Sequence, residues 1–147
     1  MGNLIGIATR TKKRAQMDVH SSEVVSFNQG VGSDFRGRNG GKRQVTIMSK
    51  ESWDKVCEEL NNEAIWTTRR ANLLIEGIEL ESTEGQIISI GEVKLEITGE
   101  LDPCNRMDEQ ISGLTTALTP FWRGGVTCKI LAEGNVKIGD EVKLHTS

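Results

Sequence analysis

Cys104 is the residue whose type and position in this sequence are best suited to chemistry. It follows Pro103, and the residue before a proline is biased towards extended backbone. Apolar residues then recur at helical spacing, which predicts a helix over residues 107–119. A thiolate between a strand end and a helix start could ligate a soft metal or carry sulfur. A small, buried apolar role stays open, because free cysteines are among the most buried residues.

The other two cysteines are predicted to pack in the core. Cys57 falls on a stripe with Trp53, Val56 and Leu60, at the spacing of a helix face that packs on a core. Cys128 lies within the apolar run 125–131. None of the three cysteines forms a Cys-x-x-Cys motif, which argues against a disulfide framework or a zinc cluster. A reducing, cytoplasmic location is therefore expected, and the N-terminus lacks the charged region of a signal peptide.

Glycine, arginine and aspartate recur together in several segments that could bind an anion. Asp34 and Arg36 lie in the glycine-rich run 30–38, Arg70 follows in 67–73, and Arg123 precedes two glycines. Glycines let backbone N–H groups approach an anion, and a guanidinium presents a planar fork to phosphate. If these loops converge, they form a phosphate pocket beside a thiol. The alternative is a set of ordinary flexible turns with solvated arginines, because the P-loop and Rossmann orders are both absent.

The charges are unevenly distributed along the chain. Residues 1–50 hold nine Lys or Arg against three Asp or Glu, and the remaining residues hold nine against eighteen. Such asymmetry can mark an anion-binding face. Nucleic acid is not favoured as the anion, because the chain has no Tyr, three Phe and three Trp with which to stack bases. No stretch approaches the ~20 apolar residues of a membrane span, so no membrane partner is expected.

The order of apolar and glycine residues predicts a mainly β fold. Apolar and charged residues alternate over 93–97, as in a half-buried strand, and glycine turns separate several such segments. Strands are predicted at 4–8, 23–27, 44–48, 72–76, 86–90, 93–98, 126–132 and 141–145. Their spacing suggests a barrel or a sandwich, and the length of 147 residues suits one domain, residues 1–147.

About two short helices are expected to interrupt the strands. The first begins after Ser49, a good N-cap, with Glu51 in a first turn where the helix dipole favours negative charge. The second is the run 107–119, which Pro120 ends.

The order of these segments resembles a stand-alone MOSC domain, the module found at the C-terminus of molybdenum-cofactor sulfurases. The resemblance covers nearly the whole length and depends on the motifs around a single cysteine. These are the runs 32–37, 43–46, 70–77, 90–91, 103–104, 123–126 and 136–140.

The resemblance implies a β-barrel with Cys104 in a pocket, as a persulfide carrier or a molybdenum ligand. Arg70 and Asn72, in the Arg-x-Asn-Leu pattern, would then contact the pterin or phosphate of the molybdenum cofactor, molybdopterin. Asp34, Arg36 and Arg123 would line the same pocket. A thiolate is a soft ligand suited to such a centre, and arginine suits the phosphate.

Sulfurases join this module to a pyridoxal-phosphate desulfurase domain, for which this sequence is too short. Sulfur would come from a cysteine desulfurase or another donor, and electrons from a donor protein; a molybdoenzyme is another possible partner. The leading hypothesis is cofactor binding or sulfur delivery through Cys104. One alternative is a molybdenum-dependent reductase of N-hydroxylated compounds, and another is a non-catalytic module that binds anions or nucleic acid. The sequence does not settle whether the chain is an enzyme.

Overall fold

A barrel of strands with helices outside it makes up most of the computed structural model, which describes residues 2–12, 15–37, 40–103 and 107–145. The strands are β1 (Gly2–Thr9), β2 (Asp18–His20), β3 (Ser22–Ser26), β4 (Gly30–Val31), β5 (Val45–Ser49), β6 (Leu73–Glu76), β7 (Ile87–Ile90), β8 (Val93–Glu100), β9 (Val126–Ala132), β10 (Gly134–Lys137) and β11 (Glu141–His145). The helices are α1 (Lys50–Leu60), α2 (Met107–Gln110) and α3 (Leu114–Leu118). The predicted mainly β class is confirmed.

Seven of these strands close into a barrel in the order β11-β7-β8-β9-β5-β6-β1, and β1 pairs back with β11. The later part of β1 also pairs with β2, which extends the sheet. Strands β5 and β6 are parallel, with Ile47 opposite Leu73. A parallel pair needs a crossover, and α1 lies in the connection between these two strands. The barrel closure that the MOSC resemblance implies is thus observed.

The apolar side chains of the alternating pattern fill the barrel interior. Val93, Leu95 and Ile97 are fully buried, whereas Lys94 between them is exposed. Cys128 on β9 belongs to the same core, as predicted. Burying such aliphatic side chains is worth about 1.5–3 kcal/mol each, so the alternation itself selects which face of the sheet turns inward.

A second apolar cluster holds helices α1 and α3 against the outside of the barrel. The side chain of Ser49 accepts a hydrogen bond from the Ser52 N–H, which confirms the predicted N-cap of α1. Trp53 and Val56 are buried on the helix face predicted to pack, and the half-buried Cys57 packs against the same cluster. Within the described ranges, no helix is long and apolar enough to cross a membrane.

The single helix predicted for 107–119 is wrong, because two short helices occupy that stretch. Gly113 lies between α2 and α3 with a φ of 86°, a left-handed conformation that ends the helical path. The carboxylate of Asp108 accepts a hydrogen bond from the Thr115 N–H at 2.9 Å, at the start of α3. The apolar spacing is nevertheless used, since Met107, Leu114 and Leu118 are all buried.

Candidate functional site

One cleft of about 510 Å³ brings together Asp34, Arg36, Arg70 and Asn72, four of the residues predicted to bind the cofactor. Three further arginines line it: Arg10, Arg43 and Arg69. We call it the arginine cleft, and it lies where β1, β5 and β6 meet the segments 34–36 and 101–102 and the helix α2. These segments are far apart in the sequence, and closure of the barrel brings them together at the cleft.

The guanidinium groups of the arginine cleft lie close enough to affect one another. Burial, and then the charges of Arg70 and Arg36, lower the pKa of Arg10, whereas the carboxylate of Asp34 raises it. Like charges held together in a partly buried place repel one another, and a bound anion would relieve that repulsion. The cleft is therefore suited to a ligand with one or more phosphate groups, which arginine binds through paired N–H donors.

Asp34 organises the arginines on either side of it. Its buried carboxylate accepts hydrogen bonds from the backbone N–H groups of Arg10, at 3.0 Å, and Arg36, at 3.2 Å. The N–H of Phe35 also donates to the Arg10 carbonyl at 2.7 Å. These bonds fix the loop to the end of β1, so Asp34 serves the cleft as a residue that positions two of its arginines.

Asn72 joins three strands at the same end of the barrel. Its side-chain oxygen accepts from the backbone N–H and the hydroxyl of Thr46, at 3.1 and 3.2 Å. Its side-chain nitrogen donates to the carbonyl of Ala8 at 3.2 Å. The amide thus bridges β5 and β1 just before β6 begins, and it holds the wall of the cleft in place.

Arg70 adopts a strained conformation beside Asn72. Its φ is 68°, in the left-handed region that costs a non-glycine residue free energy. This backbone ends the short 3-10 turn Trp66–Arg69, and the guanidinium donates to the Ala15 carbonyl at 2.6 Å. Strain of this kind persists where the surrounding structure fixes it, and it aims the side chain of Arg70 into the cleft.

Arg69 is a site residue that was not predicted, although it lies next to the predicted Arg70. It is only 4% exposed, and its fork donates to the Gly124 carbonyl at 3.1 Å and the Leu101 carbonyl at 2.8 Å. A third N–H contacts the Met107 sulfur at 3.7 Å. Arg69 therefore holds the two described flanks of the segment that carries Cys104.

Arg123 lies away from the arginine cleft. Its buried guanidinium donates to the carboxylate of Glu59 at 2.9 Å and to the Ala117 carbonyl at 3.1 Å, and it lines a different cleft. The structure does not bring it together with Arg70 and Asn72, and its predicted contact with the cofactor stays a prediction.

The MOSC domain sequence model matches residues 19–143 of the chain. The chain belongs to the MOSC domain family. MOSC domains are in general modules that bind molybdenum cofactor or belong to sulfurase-type proteins. Among curated proteins, no match to this chain reaches significance.

Solved structures share the fold of this MOSC chain. The YuaD protein from Bacillus subtilis superposes with a TM-score of 0.82 at 21% identity, covering 100% of this chain and 97% of that one. YiiM from Geobacillus stearothermophilus gives 0.76 at 14% identity, with 98% and 75% coverage. YiiM from Escherichia coli gives 0.73 at 15% identity, with 99% and 70% coverage. At these identities the likeness establishes the fold.

Cys104, the predicted centre of the chemistry in this MOSC chain, lies outside the described residues. Asp102 and Met107, which flank it in the sequence, both line the arginine cleft. Near this flank, burial and then the carboxylate of Asp102 raise the pKa of Glu100. No group of three or more His, Cys, Asp or Glu side chains suited to a metal ion occurs among the residues the structure describes. The role of Cys104 stays a prediction.

Proposed function

We propose that this MOSC chain binds the molybdenum cofactor in the arginine cleft, and that Cys104 carries persulfide sulfur or ligates the molybdenum. The observation that supports this is the cleft itself, in which several arginines converge and whose wall includes Asp102 and Met107 on either side of Cys104. When bound, the cofactor supplies a phosphate for arginine to hold and a metal for which thiolate is a soft ligand.

The donor set of the cleft fits such a group. Arg10 and Arg36 are held together by Asp34, and Arg70 reaches the same space, so three guanidinium groups surround one region. Each guanidinium carries five N–H donors, and the bond from Arg70 to Ala15 uses only part of its set. The remaining donors can hold phosphate oxygens while Arg69 holds the flanks of the Cys104 segment.

The chain's own residues would divide the work in this proposal. The arginines bind and orient the anionic end of the ligand, and Thr46 and Asn72 form a rigid polar wall beside it. Cys104 supplies the sulfur atom. A cysteine desulfurase or another donor would deliver sulfur, or a donor protein would deliver electrons, and a cytoplasmic location is proposed with it.

Purification under strict exclusion of air tests the proposal. The expected result is molybdenum and pterin in the isolated protein, or the added mass of one sulfur atom on Cys104 after incubation with a desulfurase and cysteine. Cys104→Ala should abolish both, whereas Cys57→Ala, the matched control, should retain them. A protein that takes up neither cofactor nor sulfur would contradict the proposal.

The two alternative functions suggested by the sequence, a reductase and a non-catalytic anion-binding module, predict different experimental results. Turnover of an N-hydroxylated compound by cofactor-loaded protein with a separate electron donor, lost in Cys104→Ala, would favour the reductase. Steeply salt-dependent binding to nucleic acid, with no cofactor uptake, would favour the anion-binding module.

A further inference from the structure

A second cleft of about 620 Å³ lies apart from the one proposed to bind the cofactor. It is bounded by the first turns of α1, the segment 77–81 after β6, and the loop 121–123 before β9. We call it the glutamate cleft, after Glu51, Glu79 and Glu81, which line it. The two clefts are neighbours, because Arg69 of the arginine cleft bonds to Gly124, the residue that follows this loop.

An aromatic side chain stands exposed at the edge of the glutamate cleft. Phe121 is 67% exposed, and its ring centre lies 5.5 Å from the guanidinium carbon of Arg123. Trp122 and Ile78 line the cleft beside it and are packed, partly buried, against the barrel core. The cleft therefore offers an apolar surface that continues from a rigid base to a solvated ring.

The charge of this cleft is negative. Its two cations are already paired with carboxylates outside it, since Arg123 contacts Glu59 at 2.9 Å and Lys55 contacts Glu58 at 3.8 Å. In the part of the chain that the structure describes, Glu79 and Glu81 make no ion pair of their own. The negative charge of Glu79 and Glu81 is thus left for another molecule to neutralise, whereas the carboxylate of Glu51 accepts a hydrogen bond from the Gly77 N–H at 2.8 Å.

We propose that the glutamate cleft docks a basic, amphipathic segment of a partner protein. Lysine or arginine side chains of that segment would meet Glu79 and Glu81 and contact the exposed part of the Phe121 ring, which attracts a cation and over which Arg123 already lies on one side. Apolar side chains of the same segment would cover Trp122 and Ile78. The complementary charge fixes which partners are admitted, and the covered aromatic area supplies most of the affinity.

The proposal stands whether or not the first cleft binds cofactor, because no residue of the arginine cleft contributes to it. If the cofactor proposal holds, a partner docked here would sit beside the cleft that receives its sulfur or electrons.

A short synthetic peptide of alternating lysine and leucine is the probe, with a glutamate and leucine peptide as its counterpart. Titration followed by backbone amide NMR should shift signals from residues 51–55, 77–81 and 121–123, with affinity that falls as salt rises. The double charge reversal Glu79→Lys with Glu81→Lys should weaken binding by about tenfold, and Phe121→Ser by a similar factor.

Matched controls lie elsewhere on the surface. Glu84→Lys with Glu92→Lys makes the same charge change outside both clefts, and Phe27→Ser removes another half-exposed ring; both should leave the affinity unchanged. The substituted side chains at Glu79, Glu81 and Phe121 are wholly or partly exposed, so thermal unfolding should confirm that all variants fold.

Three results would overturn the proposal. One is peptide binding that Phe121→Ser and the double reversal leave intact. Another is equal displacement of the peptide by a simple polyamine such as spermidine, which would make this a small-cation site. A third is self-association of the chain that the same variants abolish, which would assign the surface to a second copy.

Discussion

Replacing Arg69, which lines the arginine cleft of this MOSC chain, with methionine should strongly destabilise the protein. The side chain is buried and donates to the carbonyls of Leu101 and Gly124, both of which are also buried. Hydrogen bonds from a charged donor contribute about 1.5–3 kcal/mol each, and a buried acceptor left unpaired costs about 1–3 kcal/mol. Methionine is of similar length but uncharged, so the substitution also removes the cost of burying the guanidinium charge, and this offsets part of the loss. The expected loss is about 3 kcal/mol.

Arg69→Lys separates charge from geometry. Lysine keeps the positive charge, but its single ammonium cannot span both carbonyls as the guanidinium fork does. It should therefore recover only about half of the loss. Arg70→Met, which removes one bond from a half-buried neighbour, should cost about 1 kcal/mol.

Urea unfolding at pH 7.5 measures the free energy of unfolding of all three variants. A midpoint that falls with an unchanged slope indicates lost stability rather than a changed unfolded state. Hydrogen exchange at the Leu101 amide, which donates to the Gly125 carbonyl at 2.8 Å, should speed up in Arg69→Met. An Arg69→Met protein within about 0.5 kcal/mol of the parent would refute the reasoning, since surface substitutions have effects of that size.

Three further outcomes follow from the same structure. Gly125→Ala should lower the free energy of unfolding, measured in urea, by more than ~2 kcal/mol, because φ is +101° and a Cβ would lie 2.1 Å from a carbonyl oxygen of β5. The control Gly85→Ala, where φ is +87° and the space around the Cβ is open, should lower it by about 1 kcal/mol. Burial raises the pKa of Cys128, so its thiol stays neutral in the folded protein, whereas in the unfolded chain it ionises near pH ~8.5. The contribution of this thiol to the free energy of unfolding is therefore complete below that pH, and it falls by about 1.4 kcal/mol per pH unit above it. Urea titrations at pH 8 and 9.5 should show this decline, and Cys128→Ala should reduce it. Pyrophosphate at about ten times its Kd should raise the melting temperature by ~3–5 °C; Arg36→Gln should reduce that rise and the exposed Lys42→Gln should not.

The strands of the barrel could be predicted because their signal is local. Alternation over residues 93–97 identifies β8, and each of the eight predicted segments overlaps an observed strand. Strands β2, β4 and β10 were not predicted. β2 contains one apolar residue, Val19, which is exposed, so there is no buried face to leave a periodic pattern. The break at Gly113 was also missed, since the apolar spacing continues on both sides of it.

The site was less predictable than the fold, because its contacts join distant segments. Arg69 and Arg70 are adjacent in sequence and both line the cleft, yet the buried Arg69 donates to the two carbonyls of Leu101 and Gly124, whereas the half-buried Arg70 donates to the single carbonyl of Ala15. Nothing in the local pattern distinguishes these two roles. Arg123 was expected in the same pocket, but Glu59, sixty-four positions away along the chain, takes its guanidinium into an ion pair. Which loop an arginine faces is decided by such long-range pairs.

The uneven distribution of charge along the sequence corresponds to the different charges of the two clefts. The basic residues 1–50 supply Arg10, Arg36 and Arg43 to the arginine cleft, whereas every glutamate that lines the glutamate cleft comes from residues 51–147. A net charge of −3 conceals this separation. Because the screening length is about 8 Å at physiological salt, each cleft presents its own charge to an approaching molecule. The small net charge therefore does not prevent one face from attracting an anion while the adjoining face attracts a basic protein segment.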